Sequence, residues 1–389
     1  MKNTKIALAT ASALLITTAF SNAQTTIGGN MRVGLKSTSA DLGAGLGSNS
    51  RMVKETQINI ANKGKLNIGG LEYAAGFSIE FDGNDLNRAA GSSTAVCTAT
   101  DTEEAAACTT GSVVNGSAVS FGKAHYENNY IDIINPSTKT TLSFSADHLK
   151  PSDVQLSDIV GGPSRVDHVL NHAAASAAGA SIASKFTDKM DDKGSTEGFG
   201  IGLIQDLGVG KFSIIYQPDV SENFSALGDT GGAMNDALSS TSNSIIDMSF
   251  RGDLGVKGLD VVITRNKQEG TGTDRDIKFH SEGVRYNMGP ITAAYQQSKG
   301  DYDTAANKTA KSKEYGLAYT VTPTLSVGAV MIKTKDNSAV GIDEKITGLT
   351  VGYNLGPVFL STVAGKIDDA GNTAGADGKA VQITLGTTF

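Results

Sequence analysis

From Leu71 to Asp82 the chain alternates almost perfectly between two faces. Leu71, Tyr73, Ala75, Phe77, Ile79 and Phe81 fall on one face, and Glu72, Ser78, Glu80 and Asp82 on the other. Period-two alternation marks a β-strand, and this run exceeds the ~5–6 residues usual in globular proteins. A strand needs ~9–11 residues to cross a bilayer. The pattern recurs at Met31, Val33 and Leu35, at Leu142 and Phe144, and at Phe199, Ile201 and Leu203. It returns at Phe212, Ile214 and Tyr216, at Tyr315, Leu317 and Tyr319, and at Leu325, Val327, Ala329 and Met331. The chain closes on Val381, Ile383, Leu385, Thr387 and Phe389 in the same rhythm. Around 120–134 the rhythm conflicts with itself. Tyr126 and Tyr130 share one parity and Ile131 and Ile133 the other, so its faces stay unassigned.

The connections separate a closed barrel from a soluble sandwich. Seven short turns read as Asn62 to Asn67, Asn135-Pro136-Ser137, Asp206 to Gly210, Gly252 to Gly258, Asn287 to Pro290, Val321 to Thr324, and Asn354 to Pro357. Eight longer polar connections alternate with them, at about 37–51, 83–119, 148–196, 218–243, 266–277, 298–312, 334–345 and 366–379. Sixteen antiparallel strands follow, with both ends at the short-turn side, the asymmetry of outer-membrane barrels. All seven prolines fall in these turns and loops or at a loop edge. Proline removes a ladder donor, and a closed barrel has no free edge strand to tolerate it.

Composition supports a fold without a thick apolar interior. Of 389 residues 46 are glycine, above the ~7% of average usage, and hydrophobic residues reach only 39%. The formal charge of −7 disfavours a nucleic-acid partner. Lys2 and Lys5, the apolar stretch from Ile6 to Phe20 and the small residues Ser21-Asn22-Ala23 read as a secretory signal peptide over 1–23. Residues 24–389 then form the exported barrel, and losing the two lysines takes the charge to −9. No later segment offers the ~18 apolar residues of a spanning helix.

Three features together carry a family resemblance. They are the start Thr25-Thr26-Ile27-Gly28-Gly29-Asn30-Met31-Arg32, the repeated turns Tyr286-Asn287-Met288-Gly289-Pro290 and Tyr353-Asn354-Leu355-Gly356-Pro357, and the end Thr384-Leu385-Gly386-Thr387-Thr388-Phe389. The sequence resembles the Gram-negative general porins, in the alphaproteobacterial style. The resemblance implies a sixteen-stranded outer-membrane barrel that assembles as a homotrimer, with a third loop folded inward to narrow the pore. It implies that Phe389 is an assembly signal for the barrel-assembly machinery, and that the second loop latches onto a neighbouring subunit. Outer-membrane lipid and lipopolysaccharide would surround such a barrel. The Pro-Glu-Phe-Gly motif of many enterobacterial third loops is missing.

Alternation supplies wall charges for a wet lumen: Arg32, Lys36, Glu72, Glu80, Asp82, Asp147, Lys211, Asp247, Arg251, Arg285 and Glu314. Each would cost up to ~2–4 kcal/mol facing lipid, so the lumen is the cheaper side. The longest connection, about 148–196, contains Asp153, Asp158, Arg165, Asp167, His168 and His172. A loop this long argues for a task, and the expected one is the pore constriction, acidic groups facing basic wall groups. An outer flap is the plainer alternative. Selectivity would follow those few charges rather than the net charge.

His168 and His172 stand four apart, but no third ligand or metalloenzyme motif accompanies them. Cys97 and Cys108 are the two cysteines of an exported chain and are expected to form a disulfide. Acidic pairs such as Asp343-Glu344 and Asp368-Asp369 offer oxygen ligands for Ca²⁺ or Mg²⁺, although plain solubility explains them as well. No cofactor is expected. No nucleophile elbow, His-Glu-x-x-His or phosphate loop is present, so an enzyme is not expected. The reading is a diffusion channel for small hydrophilic solutes and ions. Two alternatives stay open, a substrate-specific channel and a plugged barrel acting as adhesin or structural protein.

Overall fold

The computed structural model describes residues 23–41, 49–82, 125–146, 148–149, 151, 156, 199–217, 242–270, 276–303, 308–336, 342–370 and 374–389. The strands are β1 (Gln24–Asp41), β2 (Asn49–Lys65), β3 (Glu72–Asp82), β4 (His125–Asn135), β5 (Thr140–Ala146), β6 (Phe199–Asp206), β7 (Lys211–Gln217) and β8 (Ser242–Gly252). They continue as β9 (Leu259–Gly270), β10 (Ile277–Met288), β11 (Ile291–Asp303), β12 (Lys308–Thr322), β13 (Leu325–Asp336), β14 (Asp343–Asn354), β15 (Val358–Asp368) and β16 (Asp377–Thr388). Each pairs antiparallel with its sequence neighbours, and β1 also pairs with β16. The sheet is therefore a closed sixteen-stranded barrel with no edge.

Closure rests on twelve registered Cα pairs, from Asn30↔Thr388 to Asp41↔Asp377. At its lower end Gly29 and Phe389 exchange both backbone hydrogen bonds, at 2.9 and 3.1 Å. A Cβ on Gly29 would lie 2.2 Å from the Gln57 carbonyl oxygen and 2.9 Å from the Phe389 ring, so glycine leaves room both for β2 and for the terminal aromatic at the seam.

Every strand separates two faces. On β12 Tyr315, Leu317 and Tyr319 are exposed while Ser312, Glu314 and Ala318 are buried. On β16 Val381, Ile383 and Leu385 are exposed while Ala380 and Thr384 are buried. Carried around the ring by the register, the exposed positions form an outward apolar band. Leu349, at 64% exposure, and Leu317, at 57%, lie in it. A continuous apolar surface of this extent needs lipid or a partner to cover it.

The structure revises three sequence expectations. The first short turn lies at 66–71 rather than 62–67, closed by Leu66 N donating to Leu71 O at 2.8 Å. Asn62 and Gly64 look like turn residues but pair with Ala75 and Tyr73, so ladder bonds override local turn chemistry. The connections at 266–277, 298–312, 334–345 and 366–379 are shorter than their polarity suggested, because β9 to β16 continue into them. There the outward residues become charged while the backbone ladder continues. The conflicting parity at 120–134 is resolved by a bulge. Gly76 pairs Tyr130 but Ser78 pairs Glu127, and Asn128 takes a positive φ of 53°. One extra residue reverses the faces across it, which puts Ile131 outward and Tyr130 inward.

Opposite faces make opposite demands at adjacent residues. In a bilayer Ile383→Arg should lose ~2–4 kcal/mol of stability, whereas Gln382→Arg, pointing inward, should lose far less. Urea unfolding of the barrel in lipid vesicles measures both.

Candidate channel interior

The inner wall is built from the other half of each alternation. Ser143, Ser145, Gln217, Asp247, Ser249, Thr264, Ser281, Gln296, Ser298, Ser312 and Glu314 are all buried on it. The register places Arg32, Lys36, Glu72, Glu80, Lys211, Asp247, Arg251, Arg285 and Glu314 at inward positions. The backbone of Asp82 pairs with Glu55. Asp147, Asp153, Asp158, Arg165, Asp167, His168, His172, Cys97 and Cys108 lie outside the described residues.

The inward charges fall into sectors. On β1 and β2, Arg32 Nη1 donates to Glu55 Oε1 at 2.8 Å. Glu72, Glu80 and Asp132 follow on β3 and β4. Across the ring, β7 to β10 carry Lys211, Arg251 and Arg285 near the short-turn end. Asp260 lies between the two arginines. Arg251 Nε and Nη2 donate to its two oxygens at 3.0 and 2.6 Å, and Arg285 Nη2 donates to Oδ2 at 2.6 Å. One carboxylate thus holds two guanidinium groups by charge-assisted hydrogen bonds, leaving a net positive charge on the three. Lys211 pairs directly with Arg251 across β7 and β8 and adds another. Asp206, opposite Lys211, offsets one, and Asp247, farther along the inner face of β8, offsets another.

Sequence reading missed Glu55, Asp132 and Asp260. The parity that selected Glu72 also covers Asp260, which alternates with Leu259 and Val261. Glu55 becomes visible as a partner only when β1 and β2 are registered.

The chain after β5 enters the barrel. Tyr130 points inward and stacks on His148, with ring centroids 3.8 Å apart and planes 14° from parallel. Leu149 lies over Gly202 on the inner face of β6, where any larger residue would collide with it. Leu156, ten residues beyond Ala146, is fully buried in a cluster with Val262 and Ala294. Both belong to the inner wall of β9 and β11, four to six strands around the ring from β5. A Cβ on Gly283 of β10 would lie 3.1 Å from Leu156 Cδ1. Leu156 N donates to Gln296 Oε1 at 2.9 Å, and Gln296 Nε2 donates to Ser281 Oγ at 2.9 Å. Ser298 Oγ donates to the same Ser281 oxygen at 3.0 Å. The anchor combines apolar contact with a satisfied buried hydrogen-bond chain, which makes it a specific point of attachment.

The inner wall is not polar throughout. Val330, Ile332, Ile346, Val363, Ile367, Ala370, Ala376 and Ala380 form a buried apolar cluster on β13 to β16 and the β15–β16 connection. Among the described residues no group of three or more His, Cys, Asp or Glu is arranged to hold a metal.

The Leu156 anchor makes a direct prediction. Cysteines introduced at Leu156 and Ala294 should link under mild oxidation, with the linked peptide identified by mass. Cysteines at Leu156 and Val330 should not.

Neither a protein-family model nor a curated protein matches the sequence. Solved structures do match. An anion-selective porin from Comamonas acidovorans superposes with a TM-score of 0.62 at 12% identity, covering 94% of this chain and 100% of that one. Two engineered variants of the Rhodopseudomonas blastica porin superpose with TM-scores of 0.55 and 0.54 at 13% identity, over the same shares. At these identities the likeness is one of fold, and the fold is that of the bacterial porins.

Proposed function

We propose that the protein is an outer-membrane porin, a water-filled channel through which small hydrophilic solutes and ions diffuse down their gradients. The observation that carries this is the sorting of one closed ladder into an apolar outside and a largely polar, charged inside. With no water in the bilayer core, a closed barrel is the one β-architecture that leaves no backbone group unpaired there. Sixteen strands enclose room for an aqueous passage. The porin fold of the superposed structures supports the same reading.

In this reading the expected signal peptide over 1–23 directs export, and Phe389 closes the seam during assembly. Cys97 and Cys108 form a disulfide in the second long connection, and three copies associate. The protein performs no chemistry on its solutes. It excludes by size and biases by charge.

The charge bias arises between sectors. On β2 to β4 the inward acids Glu55, Glu72, Glu80 and Asp132 stand among Lys63 and Lys65, and on β7 to β10 the inward bases Lys211, Arg251 and Arg285 stand among Asp247 and Asp260, so the two walls carry small net charges of opposite sign. Opposed charges within low-dielectric walls set up a transverse field that orders polar solutes. The Leu156 anchor supports a third loop that folds inward and narrows this space, bringing the acidic group of Asp153, Asp158 and Asp167 towards basic wall residues.

One observation favours a second reading, the plugged barrel. The apolar cluster on β13 to β16 occupies part of the inner wall, beside Thr334, Glu344, Thr350 and Ser361, and a packed apolar patch leaves less room for water there. Solute flux separates the two. Liposomes carrying the protein should swell in uncharged sugars at rates that fall with solute size and rise linearly with concentration. Saturation would mark a substrate-specific channel, and no swelling from a folded barrel would mark a plug. Asp260→Asn removes the carboxylate between Arg251 and Arg285. Its reversal potential in a salt gradient should move towards anion preference relative to the parent protein. An unchanged potential would place that cluster off the conducting path.

A further inference from the structure

The inner wall of β7 to β9 holds a group of buried polar atoms that the protein leaves unsatisfied. Thr264, Asn266 and Gln268 take three consecutive inward positions on β9, and all three are buried, Asn266 at 3% exposure. Thr264 Oγ1, Asn266 Oδ1 and Nδ2, and Gln268 Oε1 have no hydrogen-bond partner. Among the described residues no other strand carries such atoms at three consecutive inward positions. The register surrounds them. Asp247 of β8 stands directly opposite Asn266, and Ile245 stands opposite both Gln268 and Gln217 of β7. Ile215 and Phe279, both buried, flank the Asp247–Asn266 pair on either side.

A buried polar group that makes no hydrogen bond keeps the full cost of its desolvation, so each one calls for a partner. Gln296, an equally buried amide of the same wall, spends both ends inside the protein, on Leu156 N and Ser281 Oγ. Asn266 spends neither. The unsatisfied atoms on β9 are three oxygens and one nitrogen, an excess of acceptors, and a carboxylate stands beside them. A cation satisfies several oxygens at once. A carboxylate offers about four acceptor sites, so Asp247 can serve a cation and keep its other contacts. Ile215, Ile245 and Phe279 frame the group with apolar surface, and low local dielectric strengthens the attraction between carboxylate and cation.

We propose that Asp247, Thr264, Asn266 and Gln268, with Gln217 at the edge, form a binding site for a calcium ion. Ca²⁺ is a hard cation that takes roughly six to eight oxygens in flexible geometry, which suits a mixed set of carboxylate, amide and hydroxyl. Mg²⁺ demands a near-ideal octahedron and sheds its water reluctantly, which suits the set less. Residues directly opposite on one sheet face lie about 4.5–5.5 Å apart at Cβ, close enough for Asp247 and Asn266 to share one ion. Gln217 and Gln268 reach in from the next row, and Thr264 from the row below. A single carboxylate keeps the affinity weak, about 10⁻⁴–10⁻³ M, as in extracellular calcium modules. Val262, one inward position beyond Thr264, packs against Leu156. A bound ion therefore ties β8 to β9 beside the anchor of the chain that enters the barrel.

The test uses the full protein folded in detergent micelles and freed of metal with a chelator. Thermal unfolding is followed by the β-sheet circular dichroism signal at constant ionic strength. Ca²⁺ added through the millimolar range should raise the midpoint of the parent, and the rise should saturate. Asn266→Leu removes both unsatisfied atoms with a side chain of similar size. Without calcium this variant should unfold at the same or a higher temperature than the parent, because a buried amide without partners is gone. Its affinity for calcium should fall at least tenfold, and native mass spectrometry should count one calcium fewer per chain. Gln268→Leu, which leaves Asn266 in place, should weaken the response in the same direction and serves if the first variant does not fold. Asp368→Asn, on the outer rim, should leave the response intact. Its loss there would place the calcium on the outer acidic groups and overturn the site. No saturable rise in the parent, or equal rises in the parent and the Asn266 and Gln268 variants, would also overturn it. An equal rise with Mg²⁺ at the same concentrations would overturn calcium as the occupant.

Discussion

The backbone ladder has to close, and everything else in the molecule depends on that closure. An open sheet of sixteen strands would expose two rows of unpaired N–H and C=O groups, a template for aggregation in water and a heavy cost in lipid. Pairing β1 with β16 removes both rows at once. The seam depends on details at the chain's end, where Gly29 gives space and Phe389 supplies the last two backbone bonds. Once the ring is closed, parity alone decides which side chains face out and which face in. A chain with few apolar residues can then be stable, because it needs an apolar skin rather than an apolar core.

Closure also explains how the interior acquires its chemistry. Charges that would be costly outside are gathered inside by the register, which brings Arg32 to Glu55 and both Arg251 and Arg285 to Asp260. Ion pairs and hydrogen bonds restrain these groups at fixed places on the inner wall. The Leu156 anchor adds a second kind of restraint. Its attachment to Gln296 ties the chain after β5 to a distant part of the wall through the interior. The cluster on β13 to β16 makes part of the inner circumference apolar.

Much of this was legible in the sequence, because period two is a local signal. Tyr73, Phe77 and Phe81 separated from Glu72 and Glu80 by parity, and the register carries the same separation around the ring. Legibility failed where pairing overrode local chemistry. Asn62 and Gly64 read as a turn but continue β2. The charged ends of β9 to β16 read as loops because polarity on both faces hides a strand. The bulge at Asn128 could not be foreseen, since a positive φ at a non-glycine residue follows from the partner strand's spacing. Leu156 gave no signal at all, as one leucine in a long polar connection looks like any other.

The most direct measurement is single-channel recording of the purified, folded protein in a planar bilayer. A porin with a partly wet lumen predicts discrete, stable conductance steps that scale with salt concentration. Silence from a barrel shown to be folded by circular dichroism would contradict it, and would mean that the interior is closed.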